Sequence, residues 1–284
     1  MNIIDVGLPV SVSRMLVQKM QTMVPEELIS VRRIQEAEVE PLSTIKDEIP
    51  DLTTTHQISI MKNRDAMISS GHYKPLKGLV PDMREDVAAK GFIDPSGLFT
   101  PICVVPVVII YNRHISNPPS SWHDLLDPRW IGRINAPSPV ILQKLMKFYA
   151  KSLLGEKAET LFKSIVLDGL PIDVNKKVNE GTFDIGIVSL PFSRASRDQN
   201  VTLCWPEEGA FALPQVLIQK DGACKEALTV SNYLLSEDAQ KFISDVGVMI
   251  PVNPVVPLPR EVQENKMSLY WKGWDWFISG INAV

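Results

Sequence analysis

The longest apolar stretch lies at 102–110, and its β-branched content marks it as a strand covered on both faces. It has less than half of the roughly 20 residues that a membrane span requires, and Pro106 interrupts it. Runs at 183–188 and 210–219 share its character. Ahead of them, residues 2–6 alternate weakly and end at Gly7-Leu8-Pro9. Val12, Leu16, Met20 and Met23 then recur at helical spacing, with Ser11 or Ser13 placed to cap the helix. Residues 28–34 and 51–55 read as further strands, with a short helix over 43–48. Strands alternating with helices predict an α/β fold, a mostly parallel sheet flanked by helices.

The later pattern repeats this logic. Ser121-Trp122-His123-Asp124 has the form of a capping box opening a short helix. Residues 132–134 read as a strand, and Ser138-Pro139 as a cap and first-turn proline ahead of a helix reaching 152. The run at 102–110 is then the first crossing between two lobes, and 210–219 is the return. The expected division is discontinuous: 1–105 for lobe one, 106–216 for lobe two, and 217–284 for the return segment. Helices over 222–236 and 237–246 complete lobe one. The aromatics of 270–277 form a C-terminal helix.

A chain of 284 residues allows two such lobes. A net charge of -4 gives no electrostatic footprint for nucleic acid, and no segment predicts stable membrane insertion. Cys103, Cys204 and Cys224 are odd in number and widely spaced, so they form neither a disulfide framework nor a zinc pattern. They read as small buried hydrophobes. The stretch Met1 to Gly7 has no basic region, apolar core or cleavage site. The expected location is cytoplasmic if the chain is full length, or extracytoplasmic if it begins where a mature exported protein would.

Three passages carry a resemblance. The first runs from Asn117-Pro118-Pro119-Ser120-Ser121-Trp122-His123-Asp124-Leu125-Leu126 through Asp127-Pro128-Arg129-Trp130-Ile131-Gly132-Arg133-Ile134. The second is Gly181-Thr182-Phe183-Asp184-Ile185-Gly186-Ile187-Val188. The third comprises Trp205-Pro206-Glu207-Glu208-Gly209, Leu234-Leu235-Ser236-Glu237-Asp238-Ala239-Gln240 and Gly247-Val248-Met249-Ile250-Pro251-Val252-Asn253. Together they resemble the bacterial extracellular solute-binding proteins of ABC transporters, specifically the type II periplasmic binding proteins of the ferric-iron and related group. The resemblance implies two lobes with a ligand cleft and non-catalytic capture of a solute by hinge closure. It also implies delivery to an ABC-type permease, no cofactor, and a monomer. Iron-binding members of that group place adjacent tyrosines after the strand matching 184–188. Here the stretch is Ser189-Leu190-Pro191-Phe192-Ser193, without a tyrosine.

In open α/β sheets ligands bind beyond the carboxyl ends of the strands. The candidate ligand-binding residues are therefore Pro9, Ser11, Ser13, Thr54, Thr55 and His56 in lobe one, and Asn135, Ser138, Ser189 and Ser193 in lobe two. Glu207 joins them from the loop before the return strand, where it either touches ligand or supports the hinge. These loops are rich in hydroxyls and amides, which suits a small anion or oxyanion, and a metal ion remains in the set by resemblance. Arg194 and Arg197 either add charge there or lie solvated. His56 as a metal ligand would need Asp5, Glu207 or Glu208 as partners. His123 reads as structural, and His72 and His114 as loop residues. The alternatives are an enzyme on the same two-lobed fold and a cytosolic ligand sensor, such as the effector half of a regulator. Against the enzyme, the chain has no GxSxG elbow, Gly-rich phosphate loop or HExxH motif.

Overall fold

Burial decides which of these patterns becomes a sheet, and it does so twice along the chain. The computed structural model describes residues 4–32, 42–61, 63–76, 78, 81–196 and 200–281. The chain divides into two units. The first comprises Met1–Val104, Leu213–Pro259 and Lys272–Ile278, and the second Val105–Ala212, Arg260–Trp271 and Ser279–Val284.

In the first unit, β1 (Ile4–Val6) lies between β2 (Ile29–Val31) and β3 (Leu52–His56), both parallel to it. Two-residue β4 (Tyr73–Lys74) pairs antiparallel with Gln219 and Lys220. The helix Val10–Gln21 covers the sheet with Val12, Leu16, Val17 and Met20 buried at the spacing of one helical face. Its N-cap position is held by Pro9, whose carbonyl accepts from the N–H groups of Val12 and Ser13, so Ser11 and Ser13 lie inside the first turns and cap nothing. The predicted strand over 28–34 is described only as β2, because 33–41 lies outside the described residues.

The 13-residue β5 (Thr100–Asn112) then carries the chain into the second unit. There β6 (Ile134–Ala136), β7 (Ile165–Leu167) and β8 (Ile185–Ser189) form a parallel set. β5 runs antiparallel to β8 on one side and to β9 (Val201–Cys204) on the other. Gly186 makes this packing fit. A Cβ there would stand 2.9 Å from both Ile110 and Val174, side chains that share a core with Val178 and Val188. The motif around 184–188 is thus a close-packing requirement as well as a strand.

β10 (Ala210–Lys220) returns to the first unit, where Leu52–His56 pairs antiparallel with Gln219 to Gln215. β11 (Ile250–Pro251) pairs with Cys103 and Val104 at the start of β5, and β12 (Leu269–Tyr270) pairs with Ala210 and Phe211 in the second unit. Gln240 ties the helix Glu237–Asp245 to the backbone around it. Its amide donates to the carbonyls of Ile102 and Leu234, while its oxygen accepts from the N–H groups of Val252 and Asn253. The architecture is α/β in both units, with parallel sheets bordered by the long antiparallel crossing strands.

Candidate functional site

At the carboxyl ends of β1 and β3 the first unit gathers polar groups, some bonded to one another and some without a partner. Gly7 N–H donates to the hydroxyl of Thr54 at 2.9 Å, which ties the turn before Pro9 to β3. Thr55 Oγ1 donates to Ser59 Oγ at 2.8 Å. Arg32, just past β2, donates to Asp5 Oδ1 at 2.7 Å and to the Thr54 carbonyl at 3.1 Å. His56 is buried at the strand end, and its Nδ1 has no hydrogen-bond partner. Burial first, and the Arg32 charge second, pull its pKa down to about 4, so the ring is neutral at pH 7.

Two residues that the sequence did not single out complete this set. Gln57 follows His56 with 0% exposure, and both its Nε2 and its Oε1 lack a partner. Gln215 pairs with His56 across the sheet, and its Oε1 is likewise buried and unpartnered. A buried polar atom without a partner costs about 1–3 kcal/mol, so several at one strand end mark a place that asks for hydrogen bonds from elsewhere. The signal in the sequence was only adjacency to the His56 strand end. Ser11 is exposed and Ser13 half-buried on the helix after β1.

In the second unit the ends of β6 and β7 are joined. Ser138 donates through its N–H at 2.9 Å and its hydroxyl at 3.2 Å to the Gly169 carbonyl, so it bridges two loops and does not cap the helix Val140–Leu154. Asn135 is fully buried. Its Nδ2 donates to the carbonyls of Val166 and Asp168, and its Oδ1 is unpartnered. Ser189 precedes the short helix Leu190–Ser193, within which Ser193 donates to the Leu190 carbonyl at 2.7 Å. Asn175 holds this turn by donating to the Phe192 carbonyl at 2.8 Å. β6 and β8 are neighbours, with Asn135 opposite Gly186, so Asn135, Ser138 and the 189–193 turn lie at one end of one sheet.

Arg194 is engaged. It donates through Nε at 2.8 Å and Nη2 at 2.5 Å to the two oxygens of buried Glu261. Burial opposes the charge of Glu261, but the Arg194 hydrogen bonds more than offset it and hold the carboxyl below its usual range. Arg197 lies outside the described residues.

Glu207 and Glu208 meet a different element. Glu207 accepts from the Ser120 hydroxyl at 2.9 Å, and Glu208 accepts from Trp122 N–H at 3.0 Å and contacts His123 Nδ1. Burial would raise the Glu208 pKa, yet the hydrogen bonds from His123 and the Trp122 backbone lower it. Ser121 and Asp124 form the reciprocal capping bonds that the sequence predicts, each 3.1 Å long. This carboxylate set therefore closes the 120–126 turn.

Among the described residues, no group of three His, Cys, Asp or Glu side chains could hold a metal ion, and no helix is long and apolar enough to cross a membrane. Burial pushes the thiol of Cys103 up, and burial followed by nearby carboxylates pushes that of Cys204 up to about 12, so neither is a thiolate nucleophile.

Residues 47–279 match the sequence model of a family described as bacterial extracellular solute-binding protein. A periplasmic protein of Salmonella typhi named for 2-aminoethylphosphonate binding is 28% identical over 186 residues, 58% of this chain and 55% of that protein. The chain thus spans about half the length of the curated relatives it matches. The apo crystal structure of ferric ion-binding protein A from Pasteurella haemolytica aligns with a TM-score of 0.70 at 14% identity, covering 99% of this chain and 94% of that one. The ferric binding protein from Campylobacter jejuni aligns at 0.68 and 15% identity, covering 100% and 96%. At these identities the structural likeness establishes the fold.

Proposed function

The chain belongs to the bacterial extracellular solute-binding protein family, and on that premise we propose that it captures a small solute, without chemical conversion, for delivery to an ABC-type permease. The family and the structural neighbours are binding proteins, not enzymes. The observation that carries the proposal is the unpartnered polar set at the end of β3. His56, Gln57 and Gln215 are buried at or beside the end of β3, and His56 Nδ1, both amide atoms of Gln57 and Gln215 Oε1 have no hydrogen-bond partner there. A group poised for covalent chemistry would instead be oriented by a neighbour.

In the first unit the proposed ligand-binding residues are Thr54, Thr55 and His56, with Pro9, Ser11 and Ser13 after β1. In the second they are Asn135, Ser138, Ser189 and Ser193, with Glu207 on the turn before β10. The neutral imidazole, amides and hydroxyls favour an oxyanion group on the solute. The Salmonella relative's name points to the same chemistry. The proposed division into lobes follows the crossing strands β5 and β10, and the proposed solution state is a monomer.

A thermal-shift screen tests capture. Protein stripped of solute by partial unfolding is mixed with ferric and zinc ions, phosphate, sulfate, molybdate, small carboxylates and small phosphonates. A solute at about a hundred times its dissociation constant adds roughly 2.7 kcal/mol, enough to move the midpoint by several degrees. A selective, saturable shift is the expected result. No shift from any of them would sink the proposal.

A further inference from the structure

The helix Val140–Leu154 carries an outer stripe that solute capture leaves unexplained. Its inner side packs into the second unit through Leu145, Met146, Phe148, Tyr149, Ala150 and Leu154. At 3.6 residues per turn, Val140, Lys144, Lys147 and Lys151 fall together on the other side, within an arc of about 60°. Lys147 and Lys151 are exposed and Lys144 is half-buried. Val140, at 78%, is the most exposed large hydrophobic among the described residues. Lys144 to Lys151 spans about 10 Å of helix, on the order of one Debye length at 0.1 M salt, so the three charges act on a partner together.

Nothing balances this stripe. The chain holds 33 acidic against 29 basic residues, yet the helix has no Asp or Glu. Elsewhere lysines meet carboxylates: Lys176 pairs with Glu180, Lys177 with Asp168 and Lys225 with Glu226. Among the described residues, Lys144, Lys147 and Lys151 have no ion-pair partner, although Glu156 and Glu159 follow closely in the chain. The Lys147 ammonium stands 5.8 Å from the centroid of the Phe162 ring, so its stem lies along the surface toward the helix Lys157–Ser164.

The residue types select the partner. Protein interfaces are rich in arginine and aromatic anchors and poor in lysine, and a site for one carboxylate or phosphate uses the planar fork of arginine. Three flexible point charges headed by a bare aliphatic side chain fit neither. They fit a sheet of anionic headgroups, where each lysine near the surface is attracted separately and an apolar side chain reaches the acyl boundary. We propose that this stripe is a peripheral, reversible docking surface for an anionic phospholipid bilayer. Lys144, Lys147 and Lys151 lie against the headgroups, and Val140 enters the interface at one end. The net charge of -4 opposes contact through the rest of the molecule, which favours this face. The inference goes beyond solute capture, and its test needs no solute.

Flotation of the full chain with vesicles supplies that test. The probes are phosphatidylcholine vesicles with and without about one third phosphatidylglycerol, at about 50 and 500 mM salt. The protein is expected to float with phosphatidylglycerol vesicles at low salt, to detach at high salt, and to ignore pure phosphatidylcholine. Combining Lys144→Gln, Lys147→Gln and Lys151→Gln should weaken association at least about tenfold. Combining Lys19→Gln, Lys225→Gln and Lys241→Gln removes the same charge from the first unit and should change it by less than about twofold. Val140→Ser should weaken it about threefold with the salt dependence unchanged. Melting temperatures close to that of the parent check that the variants fold. No flotation of the parent, full flotation of the Lys144, Lys147 and Lys151 variant, or equal losses in the two triple variants would overturn the inference. So would binding to washed bacterial membranes that protease treatment abolishes and phosphatidylglycerol vesicles do not reproduce, because the stripe would then recognise an acidic protein. Solute capture would stand in each case.

Discussion

At the scale of single residues, the informative positions are those where local preference and native surroundings disagree. His56 is a residue whose ordinary pKa lies near 6.5, held at about 4 by burial and by Arg32. The unfolded chain therefore takes up a proton before the native protein does, and stability must fall as pH drops from about 6.5 toward 4. Above 6.5 the contribution is fully present; below 4 no more is lost. A shift of this size corresponds to about 3 kcal/mol across that window. Urea titrations at pH 7.5 and 4.5 should show a smaller loss of stability for His56→Gln than for the parent protein. Parallel losses would mean that the imidazole is not held neutral. The His56 position was legible because a histidine ends a strand-like run, whereas Gln57 and Gln215 carry no mark in the sequence. A glutamine reads as an ordinary solvated residue until tertiary packing buries it, and which residue of β10 lies opposite His56 is set by register, a long-range property.

Among elements, the boundaries that the sequence conveyed best were those with one dominant cause. The apolar run at 102–110 became β5 because a strand buried on both faces needs continuous hydrophobicity, and Ser121 and Asp124 form their box because both partners are local. Caps that compete with tertiary bonds were harder to read. Ser138 leaves its helix to hold Gly169, and Pro9 displaces Ser11 and Ser13 from the N-cap. The 120–126 turn allows a quantitative separation of packing from capping. Trp122 is 1% exposed, stacks on Phe211 with ring centroids 4.0 Å apart, and donates through its indole to the Gly209 carbonyl at 2.9 Å. Trp122→Ala should cost about 3–5 kcal/mol, as expected for a fully buried large aromatic. Glu208→Ala removes an acceptor of the turn N–H groups and of the His123 ring without opening a core cavity, and its cost should be about 1–2 kcal/mol. Chemical denaturation of the two variants decides the order. A Glu208→Ala loss as large as that of Trp122→Ala would mean that the carboxylate, not the aromatic stack, holds the turn.

For the whole molecule, connectivity decides how the two units share stability. The chain passes between them after residues 104, 212, 259, 271 and 278, and β5 and β10 each give residues to both. The end of the chain is divided in the same way. Glu261 bonds Arg194 within the second unit, while the indole of Trp274 donates to the Phe92 carbonyl at 2.8 Å within the first. Neither unit can therefore lose its sheet without releasing a strand that belongs to the other. An interleaved chain of this kind should open globally in one step, although two-unit proteins of this size often do not. Hydrogen exchange measured against rising urea provides the check, with the core amides of β3 reporting on one unit and those of β8 on the other. Both sets are expected to converge on one opening free energy and one urea dependence. If β8 exchanged through an opening that left β3 protected, the second unit would be a separate folding unit, and the crossing strands would be tethers that do not couple the two. In that event a bound solute would raise the protection of the unit it touches and leave the other unchanged, whereas coupling through β5 and β10 requires that a solute bonded at the β3 end also slow exchange in β8.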